Sequence, residues 1–483
     1  MPTFLSIIFL MLSGLCMSQP VQRARFSAQE VKEDFAYLYK TLEQTHYNLY
    51  VNTDKKIFDK EYHRIYNSIT DSMSLLEITR LFQPFVALSQ LGHCNIGFPF
   101  GLYFDASNQS KALVFPFTVS IQNNRLFITG NYTTNPSART GDEILSVDGI
   151  PVNIKLQQIF NFLSGEGPEL KSTLTELLTF SRIYWWIYGS KDRFLVTVKH
   201  SSGTIQSIIA EGIKASDYEQ QVAKTKPVFD IGRNFRFIGD IAYLHPGIFM
   251  NNQSSGNTSE HKTFEKNEFI SFIDSAFTEI HTKRSKSLVI DLRGNPGGDN
   301  AFSDPMIAYF ATRPFRFTSA FNVKTSSITK AFWKDVNESS LQTLKQQILS
   351  AKDGDTFNVS LPYYSPRTDS LRFTGKVYVL VDRYSYSNTV SVAAIMQDYH
   401  FAKVIGEPTA DVASTYGAMH EFRLPNSQIN VSYPKAFIIR PNGDRSLKGV
   451  IPDIVVEKKA FSDNDEILDQ TVNYIRTLKN SLH

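Results

Sequence analysis

The sequence predicts an α/β protein of several domains, because three patterns of residue spacing follow one another along its 483 residues. Residues 26–90 carry apolar side chains near helical spacing, as at Phe35 and Leu42. Residues 112–165 alternate in character and are rich in β-branched and aromatic residues, as strands are. Residues 235–460 combine continuous apolar strands with amphipathic helices, which indicates an α/β domain.

The N-terminal region, residues 19–110, is predicted to be a helical module. Its first helix begins at a capping-box pattern, in which Ser27 is followed three residues later by Glu30. Two further amphipathic runs follow, and the second of them ends near Gln90. The segment GHCNIGFPF then breaks the helical pattern with two glycines and a proline.

Residues 1–18 have the pattern of a secretory signal peptide. The apolar run from Phe4 to Leu15 is shorter than a relaxed membrane span, and small residues follow it, so we expect cleavage between Ser18 and Gln19. A buried N-terminal strand or helix is the alternative. If residues 1–18 are a cleaved signal peptide, the protein is expected to be secreted or periplasmic, in the cell envelope. No later run approaches ~18 consecutive apolar residues, so no transmembrane segment is expected.

The composition and residue spacing do not indicate nucleic acid, an anionic membrane or a zinc ion as a partner. Lys and Arg number 50 against 47 Asp and Glu, a balance that does not favour nucleic acid or an anionic membrane. Only Cys16 and Cys94 are cysteines, so signal cleavage leaves one thiol and no intramolecular disulfide. No cluster of His, Cys and carboxylates has the spacing of a zinc site, and the sequence leaves the oligomeric state open.

Residues 111–210 are predicted to form a β-rich domain. The segment GDEILSVDGIPV combines a Gly-Asp turn, an apolar strand, an Asp-Gly hairpin turn and a second short strand. A helical run, KLQQIFNFLSG, separates it from further strand signal in YWWIYGSKDRFLVTVKH. The α/β domain of residues 235–460 follows, and residues 461–483 are predicted to be a C-terminal helix.

Ser387 lies where the apolar strand VYVLVDR gives way to the helical run NTVSVAAIMQDY. At a helix N-terminus the dipole and the unpaired N–H groups favour negative charge, which suits an acyl-transfer nucleophile. The N–H group of the next residue can then bind the oxyanion. An N-cap serine is the alternative, because it prefers the same position.

The segment LVIDLRGNPGGDN is a strand that runs into a glycine-rich loop. Backbone N–H groups of such a loop can complete an oxyanion hole at the carboxyl edge of the sheet. A glycine-rich turn without a ligand is the alternative. A phosphate-binding loop is disfavoured because the pattern GxxxxGK[ST] is missing from the sequence.

Taken together, these segments resemble the S41 family of serine peptidases, which contains the C-terminal processing and tricorn-like proteases. The matching segments, in the family order and within residues 26–458, are LGHCNI, LVIDLRGNPGGD, VYVLVDRYSYSNTVSVAAIMQDY, KVIGEPTA and GVIPDIVVE. The segment GDEILSVDGIPV looks like the end of the PDZ-like domain that such proteases often carry. The resemblance thus implies a PDZ-like domain at 111–210 and a catalytic domain of the ClpP/crotonase-like type at 235–460.

The resemblance also implies a catalytic site. It places the nucleophile at Ser387 and the oxyanion donors at the backbone N–H groups of Asn388 and Gly297, with Gly298 as the neighbour. The processing-protease branch has its lysine base shortly after GEPT, but that position is Val412 in this sequence. A lysine base is therefore not expected here.

The tricorn-like branch uses an upstream histidine, to which His93 corresponds. A neutral imidazole is a suitable base for a serine hydroxyl near neutral pH. The acid expected before GVIPD is missing, and Asp444 is the nearest carboxylate, a few residues out of register. His245, His400 and His420 are rival candidates for the base, and His420 ranks first among them.

The function that the resemblance implies is a serine-type endopeptidase that cleaves peptides or proteins through an acyl-enzyme. Its base is a histidine rather than a lysine, and no metal or organic cofactor is implied. An inactive protein of the same fold, which binds a peptide or another ligand, is the alternative. The missing lysine and the displaced acid motivate it.

Overall fold

The structure is a computed structural model and describes residues 25–108, 112–251, 266–336, 342–457, 461–462 and 464–480. The predicted signal peptide, residues 1–18, lies outside the described residues. Among the described residues, no helix has both the length and the hydrophobicity needed to cross a membrane.

The chain forms two compact units, and neither is continuous in sequence. Unit 1 consists of Met1–Pro227, Val323–Phe357 and Tyr416–Ala436. Unit 2 consists of Val228–Asn322, Asn358–Thr415 and Phe437–His483. Helices and sheets occur in both units, which confirms the predicted α/β multidomain class. The contiguous domain boundaries of the sequence analysis stay a prediction, as does the PDZ-like assignment.

Three helices come first among the described residues of unit 1, as the apolar spacing predicts: α1 Ala28–Thr45, α2 Lys55–Ser68 and α3 Leu75–Ala87. The predicted capping box is present, since Glu30 N–H donates to Ser27 Oγ at 3.3 Å and Ser27 N–H donates to Glu30 Oε2 at 2.9 Å. The aromatic rings of Phe35 and Phe85 lie 5.0 Å apart between the helices. A capped, amphipathic start thus fixes the helical module from local sequence.

A β-rich part of unit 1 follows. Its strands are β1 Asn95–Ile96, β2 Leu113–Val114, β3 Phe117–Gln122, β4 Arg125–Asn131, β5 Glu143–Val147, β6 Ile150–Pro151, β7 Arg193–Lys199, β8 Ile205–Glu211 and β9 Ile213–Lys214. Strands β3, β4, β5, β7 and β8 are adjacent in that order, β6 pairs with β5, and β2 pairs with β9. The helices of this part are α4 Phe100–Asn108, α5 Val152–Phe162, α6 Pro168–Leu177, α7 Phe180–Tyr188 and α8 Ala215–Val222.

Unit 2 is built around a six-stranded sheet. Its strands are β10 Asn234–Ile238, β11 Ile241–His245, β12 Ser287–Asp291, β15 Lys376–Val381, β16 Lys403–Gly406 and β19 Ile454–Val455, adjacent in that order. Strand β10 is antiparallel to β11, and the other pairings are parallel. Because parallel strands end at one edge, the loops after β11, β12, β15 and β16 share the carboxyl edge of the sheet.

Helices cover both faces of this sheet. They are α9 Asn267–Thr282, α10 Asn300–Ala308, α13 Asn388–Asp398 and α14 Glu466–Asn480. One face packs Leu288 and Val379 against apolar residues of the first three helices, and the other face packs Val289 and Leu380 against α14. The continuous apolar run of β15 reflects this two-sided burial, as the sequence predicts.

The chain passes between the units at five points, and four of these points lie within strands. These strands are β13 Ala320–Lys324, β14 Thr356–Val359, β17 Thr415–Arg423 and β18 Asn430–Ile439. The helices α11 Ser327–Lys334 and α12 Gln342–Ser350 lie between β13 and β14 in the chain. Within unit 1, β1 is antiparallel to β18, and Asn95 lies opposite Ser432.

Candidate active site

The nucleophile turn, residues 382–387, connects the carboxyl end of β15 to α13. Ser387 directly precedes the helix and has φ 54° and ψ −127°. A positive φ is sterically unfavourable for a residue with a Cβ, and such strain is concentrated at functional turns. Ser385 anchors the turn, because its Oγ donates to Leu292 O at 2.9 Å. The sequence therefore holds a serine on a strained corner at the edge of a parallel sheet.

The side chain of Ser387 is not used as a helix cap. Among the described residues, its Oγ makes no capping hydrogen bond to α13. An N-cap serine would instead accept a hydrogen bond from the second or third N–H group of the helix. The N-cap alternative of the sequence analysis is therefore not what the structure shows, and the hydroxyl is left for another role.

The glycine loop, residues 294–298, lies directly against the nucleophile turn. Tyr386 N–H donates to Asn295 O at 3.0 Å. Gly297 has φ +99°, and a Cβ built there would lie 2.9 Å from Ser387 Cβ and 2.9 Å from Asn388 N. The approach is so close that only glycine fits. The structure thus brings together the four residues that the sequence places at the nucleophile and the oxyanion donors: Ser387, Asn388, Gly297 and Gly298.

The hydrogen bonds of this loop change the ranking of the predicted oxyanion donors. Gly297 N–H donates to Asn295 Oδ1 at 2.9 Å, so an internal acceptor already uses this donor. Asn388 is the first residue of α13, where the backbone N–H group lacks an acceptor within the helix. A Cβ built at Gly298, which has φ +130°, would lie 2.2 Å from Phe249 O, so the glycine loop approaches this carbonyl closely. Asn388 N–H is therefore better placed than Gly297 N–H to donate to an oxyanion.

Asp411 contacts the nucleophile turn and was not identified from the sequence. Its Oδ2 accepts a hydrogen bond from Ser387 N–H at 2.6 Å, and its Oδ1 accepts one from Val412 N–H at 2.8 Å. The side chain is buried, with 3% of the residue exposed. The one signal in the sequence was its place directly before Val412, the position at which a lysine was sought.

Asp444, predicted as the acid of a triad, lies in the exposed loop after β18. Its carboxylate accepts hydrogen bonds from Ser446 N–H and Ser446 Oγ, both at 2.9 Å. These two hydrogen bonds, the backbone one first, lower the pKa of the Asp444 carboxyl. The carboxylate thus stabilises its own turn, and its catalytic role stays a prediction.

His93 belongs to unit 1 and lies in the turn between α3 and β1. The turn is held on both sides, because Gly92 N–H donates to Glu166 Oε2 at 3.0 Å and Asn95 Nδ2 donates to Gly92 O at 2.9 Å. The neighbouring thiol of Cys94 is buried, and burial raises its pKa to about 12. Cys94 is therefore a structural side chain and not a nucleophile.

The rival histidines have different surroundings. His420 is in unit 1, and burial together with the charge of Lys435 lowers its pKa to about 3. His400 is exposed and adopts φ 59° directly after α13, where its N–H group donates to Gln397 O. His245 ends β11, and its Nδ1 lies 2.9 Å from Asp291 O. Neither His400 nor His420 has the partially buried, polar surroundings expected of a general base near neutral pH.

His245 is expected to make the stability of the protein depend on pH. Burial lowers its pKa, but Asp230, whose Oδ1 lies 3.6 Å from Nε2, and Asp291 raise it by more, so the net shift is upwards from 6.5. Protonation then favours the folded state. The stabilisation is present below the unfolded pKa and is lost as pH rises through the folded pKa.

Urea denaturation of the wild type and of His245→Gln tests this expectation. The difference in unfolding free energy between the two should shrink between about pH 6 and pH 8. His400→Gln, which changes an exposed imidazole, is the matched control. A difference that stays constant over this range would show that His245 does not titrate as inferred.

Among the described residues, no group of three or more His, Cys, Asp and Glu side chains is arranged to hold a metal ion.

The family comparison addresses the segment that carries this site. Residues 260–456 match the model of Peptidase family S41. The resemblance to family S41 is confirmed. The S41 segment contains the glycine loop, the nucleophile turn and Asp411, so three parts of one site lie within the matched range. This match supports a serine-type peptidase.

Solved structures similar to the whole chain extend the comparison beyond the S41 segment. Mature CPAF complexed with lactacystin has a TM-score of 0.62 at 14% identity, over 94% of this chain and 98% of that chain. Mature CPAF has a TM-score of 0.60 at 14% identity, over 94% and 96%. The photosystem II D1 C-terminal processing protease has a TM-score of 0.42 at 14% identity, over 90% and 96%. No curated protein matches the sequence. At these identities the likeness to CPAF establishes the fold.

Proposed function

We propose that the chain is a serine-type endopeptidase that cleaves peptides or proteins through an acyl-enzyme on Ser387. One observation carries the proposal. Ser387 is held at a strained φ of 54° against the glycine loop, and its hydroxyl does not cap the helix that follows it. A serine used only for stability would gain from capping and from a relaxed backbone, so the arrangement favours a reactive side chain.

In this mechanism Ser387 Oγ attacks the carbonyl carbon of the scissile peptide bond. His93, the base that the resemblance implies, accepts the hydroxyl proton as the oxygen–carbon bond forms. The carbonyl oxygen becomes an oxyanion, which Asn388 N–H and an N–H group of the glycine loop stabilise. The imidazolium then protonates the leaving amine, the peptide bond breaks, and an ester remains on Ser387. Water hydrolyses this ester with the imidazole again acting as base.

The N-terminus of α13 supports this chemistry electrostatically. The N–H groups of the first turn carry partial positive charge. Thr389 N–H donates to Tyr386 O at 3.1 Å and Val390 N–H donates to Ser387 O at 2.9 Å, so Asn388 N–H is the first-turn donor assigned to the oxyanion. An oxyanion at Ser387 therefore forms where the backbone is already oriented to stabilise it. The N–H groups therefore need little reorientation as the negative charge develops. Such preoriented hydrogen-bond donors are usually the largest single contribution to catalysis of acyl transfer.

Labelling with a fluorophosphonate probe tests the proposal. Such a probe reacts with an activated serine, so the wild type should be labelled, and Ser387→Ala and His93→Ala should not. Ser391→Ala, one helical turn further along α13, and His400→Ala are matched controls and should label like the wild type. Labelling that survives in Ser387→Ala would disprove the assignment of the nucleophile.

The second candidate function is a protein of the same fold that binds a peptide or another ligand without cleaving it. Two observations favour it: Val412 stands where a lysine base was sought, and the Asp444 carboxylate is engaged by Ser446. A folded wild type that no fluorophosphonate labels would favour this candidate. Binding of peptides without turnover, measured by calorimetry, would then establish it.

A further inference from the structure

We propose that Asp411 is a positioning residue, which holds the backbone of Ser387 so that Oγ and the Asn388 N–H group face the same substrate carbonyl. The inference rests on the proposed peptidase function and deepens it. Asp411 is not a catalytic residue in this assignment. It acts through the backbone of the nucleophile, and its carboxylate takes up the Ser387 N–H group, which leaves the following N–H group for the oxyanion.

The carboxylate of Asp411 links two backbone segments through two hydrogen bonds, which are together called the clamp. Each carboxylate oxygen accepts one backbone N–H group, Oδ2 from Ser387 at 2.6 Å and Oδ1 from Val412 at 2.8 Å. Hydrogen bonds to an ionised acceptor are shorter and stronger than neutral ones. The side chain thereby ties the nucleophile turn to the loop that follows β16. These two segments are 24 residues apart in sequence.

The loop that carries Asp411 is itself firmly held. Thr409 N–H donates to Val450 O at 3.1 Å, and Val450 N–H donates to Thr409 Oγ1 at 2.9 Å. Ala413 N–H donates to Lys448 O at 2.9 Å on the other side of Asp411. Asp411 O, in turn, accepts from Thr409 Oγ1 at 2.9 Å. These hydrogen bonds hold the backbone on both sides of Asp411, and they therefore also fix the position of its carboxylate.

Ser387 requires such a clamp because its backbone is strained. At φ 54° and ψ −127° a residue with a Cβ persists only where the surroundings impose the conformation. Gly297 limits the turn from one side through close approach, and Asp411 fixes the N–H group of the same residue. Loss of the carboxylate lets the peptide plane before Ser387 rotate. The Oγ atom and the Asn388 N–H group then lose their common orientation.

The two hydrogen bonds at position 411 require a side chain with two acceptor oxygens, which aspartate has and asparagine lacks. Both oxygens are needed as acceptors, because two separate N–H groups point at them. Asparagine has one acceptor oxygen, and its amide group would meet the second N–H group as donor against donor. Asp411→Asn is thus expected to keep part of the clamp, and Asp411→Ala to lose all of it.

The experiment compares Asp411→Ala and Asp411→Asn with the wild type in fluorophosphonate labelling and in peptide hydrolysis, below the melting temperature of each variant. Asp411→Ala should lower kcat and the labelling rate about a hundredfold, the effect of a misplaced reacting group, with KM little changed. Asp411→Asn should recover part of the loss. A role in stability alone would lower the melting temperature and leave kcat unchanged.

Asp34 provides a matched control in unit 1. Its buried carboxylate also accepts two backbone N–H groups, from Asn426 and Ser427, both at 2.8 Å. Asp34→Asn should therefore lower the melting temperature and leave the labelling rate of Ser387 unchanged. The comparison shows whether slower labelling follows from the loss of any buried carboxylate that accepts two backbone N–H groups, or only from the loss of Asp411.

Three outcomes would overturn the inference, and each is distinct from failure of the proposed function. The first is labelling of Asp411→Ala as fast as that of the wild type. The second is labelling of Asp411→Asn faster than that of the wild type, which would show that the charge of Asp411 slows the reaction. The third is a change in the melting temperature alone. If the wild type does not label, the peptidase proposal fails instead. Hydrogen exchange of a peptide that covers residues 384–390 then tests the clamp, which predicts protection lost in Asp411→Ala; equal protection would also overturn it.

Discussion

Gly297→Ala is expected to lower the labelling rate of Ser387 by at least about a hundredfold, because it displaces the reacting group. A Cβ at Gly297 would lie 2.7 Å from Tyr386 O and 2.9 Å from Asn388 N and Ser387 Cβ, closer than van der Waals contact permits. The backbone also has φ +99°, which disfavours a side chain. The new methyl group must push the nucleophile turn away from the glycine loop, and the measurement is the second-order rate of fluorophosphonate labelling.

Gly239→Ala is the matched control for this prediction. Gly239 also has a positive φ, +64°, and lies in the turn between β10 and β11 of the same unit, but nothing lies within 4 Å of a Cβ built there. Both substitutions carry the conformational strain of a positive φ, and only one disturbs the nucleophile. If the two variants label equally fast, close approach of the glycine loop does not shape the active site.

Lys435→Met is expected to stabilise the protein at neutral pH. Lys435 is buried on β18, and its Nζ donates to Ala418 O at 3.0 Å. Burial lowers its pKa from 10.5 to about 7. A shift of this size corresponds to a penalty of roughly 5 kcal/mol for the protonated form, at about 1.4 kcal/mol per unit. Methionine has a similar shape and needs no solvation, so it removes the penalty.

The pH dependence gives the sign of this effect. The folded pKa of Lys435 lies below the unfolded one, so between about pH 7 and pH 10 the unfolded chain binds more protons and stability rises with pH. Below pH 7 the full penalty is present. In Lys435→Met this rise should disappear, and the unfolding free energy at pH 7 should increase.

Chemical denaturation at a series of pH values between about 6 and 10 measures both quantities. Lys199→Met is the control, because Lys199 is exposed on β7 of the same unit. A wild type whose stability does not rise over this range, or a Lys435→Met variant with the same slope, would show that Lys435 is solvated in solution.

Local features of the fold could be predicted from the sequence because they depend on near neighbours. Ser27 and Glu30 form the expected capping box, since both partners lie within one helical turn. The apolar run before Asp382 is a strand covered on both faces, as a continuous hydrophobic stretch indicates. The turn to α13 at Ser387 follows from the change of spacing at that point. The match of residues 260–456 to family S41 agrees with these segments.

The parts of the site that depend on distant segments needed the tertiary structure. Asp411 reaches Ser387 because two parallel strands end at the same edge, and spacing along the chain does not reveal which carboxylate points at which N–H group. Gly297 N–H was predicted as an oxyanion donor, and only the backbone path shows that Asn295 accepts from it. The division into units made of separate segments is equally invisible in local patterns. The sequence by itself therefore determined the helices, the strands and the position of Ser387 at the turn before α13, because these depend on short-range periodicity. Only the tertiary structure decided which polar groups meet, because such contacts form between residues that folding alone brings together.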